Sequence, residues 1–153
     1  MKKTILVVCG GTSREREVSL KTGKACSNAI KDLKHKVLIF DPAKKDFKKI
    51  KNYKVDIIFN ALHGRDGEDG IAQSYFEYFK IPYTHSGILP SMNAMDKIIS
   101  KNIFKKNKIR TPAYIELNSI NYSSILKERS MFTSRLCYPL VLKPSNEGSS
   151  IGV

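Results

Sequence analysis

The sequence lacks tryptophan, has only three cysteines among 153 residues, and contains no long apolar run. Its longest apolar stretches, such as residues 5–9, fall far short of the roughly 20 residues that cross a bilayer, so no membrane partner is expected. The basic and then apolar start has no small-residue cleavage site after it, which favours a first strand in a cytoplasmic protein. Three distant cysteines suggest neither a disulfide framework nor a zinc site, and we expect buried, reduced thiols at Cys9, Cys26 and Cys137.

Acidic residues are also scarce, with 14 Asp and Glu against 27 Lys and Arg and a formal net charge of +13. A field of this size attracts polyanions, which raises nucleic-acid binding as an alternative. The lysines are concentrated in residues 31–54 and 97–110, interspersed with Asp and Asn, without a nucleic-acid-binding motif or a series of stacking aromatics. A solvated lysine-rich surface is therefore preferred, and no nucleic-acid partner is expected.

Apolar strands alternate with amphipathic segments in the first part of the chain. The pattern predicts strands at residues 4–9, 36–40 and 55–60. It predicts one helix over about residues 18–33, in which Gly23 allows close packing on the sheet, and another from residue 71. This alternation is typical of an α/β fold with a doubly wound, mostly parallel sheet, which binds ligands beyond the carboxyl ends of its strands.

The pattern changes at Asp96, which can cap a helix that carries Ile98, Ile99, Ile103 and Phe104. Short strands are predicted at residues 113–117 and 139–143, and a glycine-rich loop follows at residues 144–152. We therefore expect an N-terminal domain at residues 1–95 and the start of a second domain at residues 96–153. Because that loop leads out of a strand and has no following partner, the second domain is interpreted as truncated.

The glycine-rich segment after the first strand leads to Glu15 at a predicted helix start, where backbone N–H groups commonly bind anions. It lacks the third glycine of a dinucleotide fingerprint and the Gly-Lys-Ser/Thr end of a P-loop. The carboxylate of Glu15 repels phosphate and suits a substrate amine, although a favourable position at the helix N-terminus explains it equally well. Asp41, after the second strand, is a candidate ribose-binding carboxylate.

A second polar segment, residues 63–70, follows the third strand and contains three glycines. Its His63 can bind a carboxylate through a charge-assisted hydrogen bond. Glu68 and Asp69 are better suited to fix the loop by capping, with a metal-binding role as the second choice. Lys143, at a predicted strand end before small residues, suits a phosphate group, and Lys97 is a further phosphate-binding candidate.

Taken together, these segments resemble the D-alanine–D-alanine ligases of the ATP-grasp superfamily. The similarity is collinear and covers the N-terminal domain and the opening of the ATP-grasp region. It runs through Gly10-Gly11-Thr12-Ser13 with Glu15, Glu17-Val18-Ser19-Leu20, the segment from His63 to Gln73, Tyr83-Thr84-x-Ser86-Gly87, Met95-Asp96-Lys97, and Lys143-Pro144 with Gly148-Ser149-Ser150-x-Gly152. Two residues depart from the family pattern: His85 stands where many members have glycine, and Pro90 interrupts a helix start that is usually rich in alanine or serine.

The resemblance implies a Rossmann-like pre-ATP-grasp domain followed by the start of an ATP-grasp domain. It implies an enzyme that uses ATP to join two D-alanine molecules through an acyl phosphate, for peptidoglycan precursor synthesis. The residues that it assigns are Glu15 and Ser149 for catalysis, Glu15, Val18 and His63 for D-alanine, and Lys97, Lys143, Ser149 and Ser150 for ATP. It also implies Mg²⁺, or Mn²⁺ in its place, with metal ligands beyond Val153, and a homodimer, which is common in the family. The 153-residue chain is accordingly expected to be an incomplete form that is inactive alone.

Two alternatives stay open. An ATP-grasp ligase that joins D-alanine to D-lactate or D-serine fits the same residues, because the pocket for the second substrate lies outside them. A non-catalytic nucleotide- or nucleic-acid-binding module is favoured only by the charge and by the doubly wound pattern.

Overall fold

The computed structural model describes residues 1–118, 136, 138–148 and 151–153. Strands and helices alternate in its first part, and helices follow in its second. In chain order the elements are β1 (Thr4–Val8), α1 (Arg16–Asp32), β2 (Lys36–Phe40), a 3₁₀ helix (Phe47–Asn52), β3 (Ile57–Asn60), α2 (Ile71–Tyr78), α3 (Ile88–Met95) and α4 (Lys97–Lys106).

The three strands form one parallel sheet in the order β2-β1-β3. Leu6 of β1 is paired with Leu38 of β2 on one side and with Ile58 of β3 on the other. A short extended segment lies beside β3, because the Ile58 N–H donates to the carbonyl of Pro82 (2.8 Å) and the Ile58 carbonyl accepts from the N–H of Thr84 (3.0 Å). The predicted parallel α/β sheet is therefore confirmed.

Both faces of the sheet are covered, since successive residues of β1 point to opposite sides. On one face Leu6 belongs to a buried cluster with Ile50 of the 3₁₀ helix and Phe76 of α2. On the other face Val7 belongs to a second cluster, against which Ile30 of α1 packs. Helices on both faces make the sheet doubly wound, as the apolar strands predict.

The strands predicted at residues 113–117 and 139–143 are wrong, because both segments are described and neither has strand conformation. Val141 and Leu142 are 66% and 69% exposed. A strand needs a neighbour that pairs its backbone N–H and C=O groups, and no strand within the described residues pairs with either segment. Apolar, β-branched composition alone therefore does not predict strands correctly in these two segments.

Helix α4 begins where the sequence predicts. The Asp96 carboxylate accepts hydrogen bonds from the backbone N–H groups of Ile98 (2.8 Å) and Ile99 (3.0 Å), which confirms the predicted cap.

The two departures from the family pattern have local explanations. His85 has a φ of 80°, in the left-handed region that glycine adopts most easily, so a glycine at this position would avoid the strain that histidine accepts here. Pro90 is the third residue of α3, within the first turn, where a backbone N–H has no partner inside the helix. Proline therefore interrupts no helical hydrogen bond at this position.

Cys9 and Cys26 are free thiols, the first buried and the second partly buried, while Cys137 lies outside the described residues. Burial raises the pKa of the Cys9 thiol above its usual value. None of the helices within the described residues has the length and apolar character that a membrane span requires.

Gly23 is where α1 contacts the sheet, and its predicted role in close packing is confirmed. A Cβ at this position would lie 2.5 Å from the Cβ and 2.6 Å from the Sγ of Cys9. We predict that Gly23→Ala lowers the free energy of unfolding by about 1–3 kcal/mol through overpacking, although alanine is the better helix former. Urea unfolding measures this change.

The matched control is Ala25→Gly, at an exposed position of the same helix. It should cost about 1 kcal/mol through helix propensity alone. A Gly23→Ala variant that is more stable than the wild type would contradict the close packing of α1 on β1.

Candidate functional site

The loops after β1 and β3 meet at the carboxyl edge of the sheet. The Ser13 hydroxyl donates to the backbone carbonyl of His63 (2.8 Å), and the Thr12 hydroxyl donates to the carboxylate of Asp66 (3.3 Å). Parallel strands end at the same edge, so loops that are about 50 residues apart in the sequence become neighbours. This arrangement brings Glu15 and His63 together, as the sequence predicts.

The Glu15 side chain is buried, with 3% of the residue exposed, although Glu15 stands at the start of α1. It forms no side-chain cap to the helix, so side-chain capping does not explain this residue. Its Oε1 atom lies between two loops: a Cβ would come within 2.7 Å of it at Gly64 and within 2.8 Å at Gly148. Glycine at both positions therefore leaves the space that the carboxylate occupies.

The imidazole ring of His63 has a neighbour at each nitrogen. Nε2 lies 3.0 Å from the hydroxyl of Thr22, and Nδ1 lies 3.5 Å from Oε1 of Glu68. These two contacts orient the ring. Sequence reasoning missed Thr22, because a polar residue on an amphipathic helix gives no sign of a partner 41 residues away.

The carboxylates of the second loop hold its backbone, as predicted. Oε2 of Glu68 accepts from the N–H of Gly64 (2.8 Å). The Asp69 carboxylate accepts from the N–H groups of Asp66 (2.9 Å) and Ile71 (3.2 Å). Both side chains thereby fix the loop, as predicted, although neither is the N-cap of α2, which is Gly70.

Two buried side-chain amides, which the sequence does not predict as functional, also anchor this second loop. The side-chain NH₂ groups of Asn60 and Gln73 each donate to the carbonyl of Gly67 at 2.9 Å. A Cβ at Gly67 would lie 2.3 Å from the Cβ of Leu62, so the loop backbone lies directly on the segment that follows β3. The resemblance includes Gln73 in the family motif, and that was the available signal for this anchor.

An ion pair between Arg16 and Asp41 holds the first loop, which follows β1. The Arg16 guanidinium donates to both carboxylate oxygens of Asp41, at 3.0 and 2.7 Å, and also to the carbonyl of Gly11 (2.7 Å). Asp41 accepts from the N–H of Gly11 as well (3.0 Å). Arg16 holds the pKa of Asp41 at about 2, below its usual value. The Asp41 carboxylate is therefore bound within this chain on both oxygens, and its ribose-binding role stays a prediction.

Ser19 ties the ends of two strands together and was also missed. Its hydroxyl is fully buried, accepts from the N–H of Gly10 (2.8 Å) and donates to the carbonyl of Ala61 (2.7 Å). These partners follow β1 and β3, so one serine fixes the spacing between the two loops.

The other residues assigned from the resemblance lie around this core or outside the described residues. Val18 is 43% exposed in the first turn of α1, and Lys143 is exposed. The Lys97 ammonium donates to the carbonyls of Ser145 and Glu147, which places Lys97 against the glycine-rich loop. Ser149 and Ser150 lie outside the described residues.

A cavity of about 340 Å³ opens beside His63. It lies between α1, the second loop and α3, and its lining includes Thr22, Glu68, Gln73, His85 and Ser91. Its volume is at the lower end of the range for small-molecule sites. The carboxyl edge therefore has space for a small polar ligand.

The Arg16–Asp41 pair makes a prediction for stability against pH. Because the folded-state pKa of Asp41 lies at about 2 and the unfolded value at about 3.9, the stabilisation is fully present above about pH 4 and is lost as pH falls towards 2. We expect Asp41→Asn to lower stability at pH 7 and the difference from wild type to shrink between about pH 4 and pH 2. Denaturant unfolding over this pH range measures both.

The control for this experiment is Asp56→Asn. Asp56 also accepts a backbone N–H, from Thr4 at 2.7 Å, and pairs with Lys3 at 3.6 Å, but both partners of that pair are exposed. Its substitution should therefore cost less. A difference between wild type and Asp41→Asn that does not change with pH would contradict the ionic contribution.

Sequence comparisons give this geometry a context. A sequence model of the family described as D-ala D-ala ligase N-terminus matches residues 40–86. The D-alanine–D-alanine ligase of Pelagibacter ubique is 51% identical over 154 residues, which cover 100% of this chain and 50% of that protein. The chain spans about half the length of the curated relatives it matches.

Solved structures agree with the sequence relatives. The D-alanine–D-alanine ligase from Bacillus anthracis complexed with ATP has a TM-score of 0.75 and 34% identity, covering 95% of this chain and 48% of that one. The VanG D-Ala:D-Ser ligase from Enterococcus faecalis has a TM-score of 0.73 and 28% identity, covering 99% of this chain and 55% of that one. Both matched regions are about half of the solved chains.

Proposed function

Because the chain belongs to the D-alanine–D-alanine ligase family, whose N-terminal half it matches, we propose that it takes part in the ATP-dependent joining of two D-alanine molecules. The observation that carries this proposal is the buried carboxylate of Glu15 beside His63, with ligand atoms within 4.8 Å of each other. A carboxylate suits the ammonium of an amino acid, and an imidazole suits its carboxylate. The pair therefore fits the two ends of one zwitterion.

In the proposed reaction, the carboxylate of the first D-alanine attacks the terminal phosphorus of ATP, which gives an acyl phosphate and ADP. The amine of the second D-alanine then attacks the acyl carbon, and phosphate leaves as D-alanyl-D-alanine forms. Glu15 binds the ammonium of the first D-alanine and helps orient Ser149, His63 meets the carboxylate region, and Val18 borders the same substrate. The product enters peptidoglycan precursor synthesis in the cytoplasm.

ATP is proposed to bind at the glycine-rich loop. Lys97 and Lys143 would contact its phosphates, with Ser149 and Ser150 from the loop itself. The position of the Lys97 ammonium against the carbonyls of Ser145 and Glu147 supports this role, because the cation already stands at the loop. Cations at this place offset the charge that develops during phosphoryl transfer.

The magnesium ion that the family implies is not assigned to residues of this chain. Within the described residues, one group of carboxylates and imidazole has its ligand atoms within 4.8 Å: Glu15, His63 and Glu68. Magnesium prefers oxygen ligands in octahedral geometry, and Glu68 is already bound to the backbone of Gly64, so this group does not fit the ion. Mn²⁺ tolerates imidazole better, but nothing else supports it here.

We also propose that residues 1–95 form the first domain and that the ATP-grasp domain starts at residue 96. The new helix that begins beside Asp96 supports this boundary. The family further suggests a homodimer, and the lysine distribution and the short apolar runs favour neither a nucleic-acid nor a membrane partner.

The first test changes Glu15 in the full-length gene product. Glu15→Gln keeps the side-chain shape and removes the charge that binds the ammonium. It should therefore weaken D-alanine use by about 1.5–3 kcal/mol, which is roughly 10- to 150-fold in kcat/KM. His63→Ala should also weaken D-alanine use. Phosphate release measures the rate, and chromatography of products formed with D-alanine, D-serine or D-lactate as the second substrate identifies the ligase type.

Glu17→Gln is the matched control for that test, because Glu17 lies in the same helical turn and is exposed. It should leave D-alanine kinetics unchanged. Wild-type kinetics in both Glu15→Gln and His63→Ala would sink the proposed binding of the zwitterion.

The second test concerns ATP and the glycine-rich loop. A non-hydrolysable ATP analogue should slow hydrogen exchange at the amides of residues 145–148, because phosphate bound there would hold the loop. Lys97→Met and Lys143→Met should each remove much of this protection. Lys101→Met is the control, since the Lys101 ammonium binds Thr111 and the carbonyl of Pro112 instead. Equal exchange with and without the analogue counts against a phosphate site at this loop.

A further inference from the structure

The Glu15 carboxylate has little room to move. Its Oε1 lies where a Cβ of Gly64 or Gly148 would clash with it, so the carboxylate fits a narrow space between two loops. Glu15 immediately precedes α1, and its backbone carbonyl accepts from the N–H of Ser19 (3.0 Å). Any shift of the helix start relative to the sheet therefore displaces the carboxylate.

The Arg16–Asp41 pair holds this helix start. Arg16 is the first residue of α1, and Asp41 directly follows β2, so the two-bond contact joins the helix to the edge of the sheet. The pair binds both backbone groups of Gly11, and Asp41 also accepts from the N–H of Ala43 (3.0 Å). A Cβ at Gly10 would lie 2.6 Å from Oδ1 of Asp41, so the preceding loop is pressed against the same carboxylate.

The charge of Asp41 has a second consequence. A guanidinium in the first turn of a helix is disfavoured by the helix dipole, and an uncompensated one beside Glu15 would repel a ligand ammonium. The two-bond pairing with Asp41 neutralises Arg16 where it stands. Arg16 can thus fix the helix start without making the amine-binding carboxylate less attractive to a cation.

We propose that Arg16 and Asp41 are positioning residues for Glu15, which hold its carboxylate at the substrate ammonium without touching the substrate. This inference rests on the proposed role of Glu15. A positioning role differs from a purely structural role in its effect on the two substrates. Loss of the pair should weaken D-alanine binding, through Glu15, and should leave ATP binding almost unchanged.

The test measures steady-state kinetics of the full-length gene product with Asp41→Asn, at a temperature well below the melting midpoint of every variant. Asp41→Asn should raise KM for D-alanine about tenfold or more and leave KM for ATP within about twofold. Arg16→Lys keeps the charge without the parallel pair of bonds and should give an intermediate KM. Asp56→Asn, with the same change at the opposite edge of the sheet, should change neither KM.

A double variant separates this inference from the function it rests on. If Glu15 is the group through which the pair acts, Asp41→Asn should add little to the KM effect of Glu15→Gln. The same added KM effect in both backgrounds, or equal rises in both KM values, would overturn the positioning role in favour of a structural one.

The single variants distinguish the remaining outcomes. An effect of Glu15→Gln without an effect of Asp41→Asn or Arg16→Lys overturns the positioning role and leaves the proposed function intact. No effect of Glu15→Gln overturns both. If Asp41→Asn does not fold, the KM values of Arg16→Lys decide between the positioning and the structural role, because this variant keeps the charge of the pair.

Discussion

The burial of one carboxylate, that of Glu15, is the constraint on which the carboxyl edge of this sheet depends. A buried charge costs several kcal/mol unless its surroundings compensate for it. Here the N-terminal end of α1 supplies favourable dipoles, and glycines of two other loops leave the space for the oxygen atoms. The loops around this group form one arrangement. Their glycines leave space for it, the carboxylates of Glu68 and Asp69 hold the second loop, and the buried Ser19 joins the ends of β1 and β3.

The distribution of acidic residues reinforces this arrangement. The chain has a formal net charge of +13, yet its carboxyl edge is rich in carboxylates. Most of them bind backbone N–H groups or Arg16, so their charge is used within the protein, whereas Glu15 is buried between the loops that contain Gly64 and Gly148. The carboxyl edge of the sheet is thus locally acidic on a basic molecule, which suits the ammonium of the zwitterion that we propose as its ligand.

The sequence predicts much of this fold because its strands are fully apolar and its helices are amphipathic. The apolar pattern predicts β2 with its observed bounds, and Asp96 alone predicts the cap of α4. The false strands at residues 113–117 and 139–143 show the limit of that signal, since strand formation depends on a partner as well as on composition.

The meeting of Glu15 and His63 could also be predicted, because parallel strands deliver both loops to one edge. The Arg16–Asp41 pair and the Ser19 bridge could not, since each depends on how a loop turns after its strand. Residues 25 and 42 positions apart then form direct contacts for which the local sequence gives no signal. The sequence therefore predicts that the two loops meet, but it does not predict the contacts that hold the loops in place.

The position of β2 gives the lysine excess a further meaning. Within the described residues β2 has one neighbouring strand, β1, so its outer side is an open sheet edge, and Ile39 on it is 50% exposed. A short apolar edge strand is a template for aggregation through pairing with another chain. Lys34 and Lys36 precede its apolar residues, and Lys44 and Lys45 follow them, where charges act as gatekeepers against such pairing. Salt that screens these lysines is therefore expected to favour self-association along this edge.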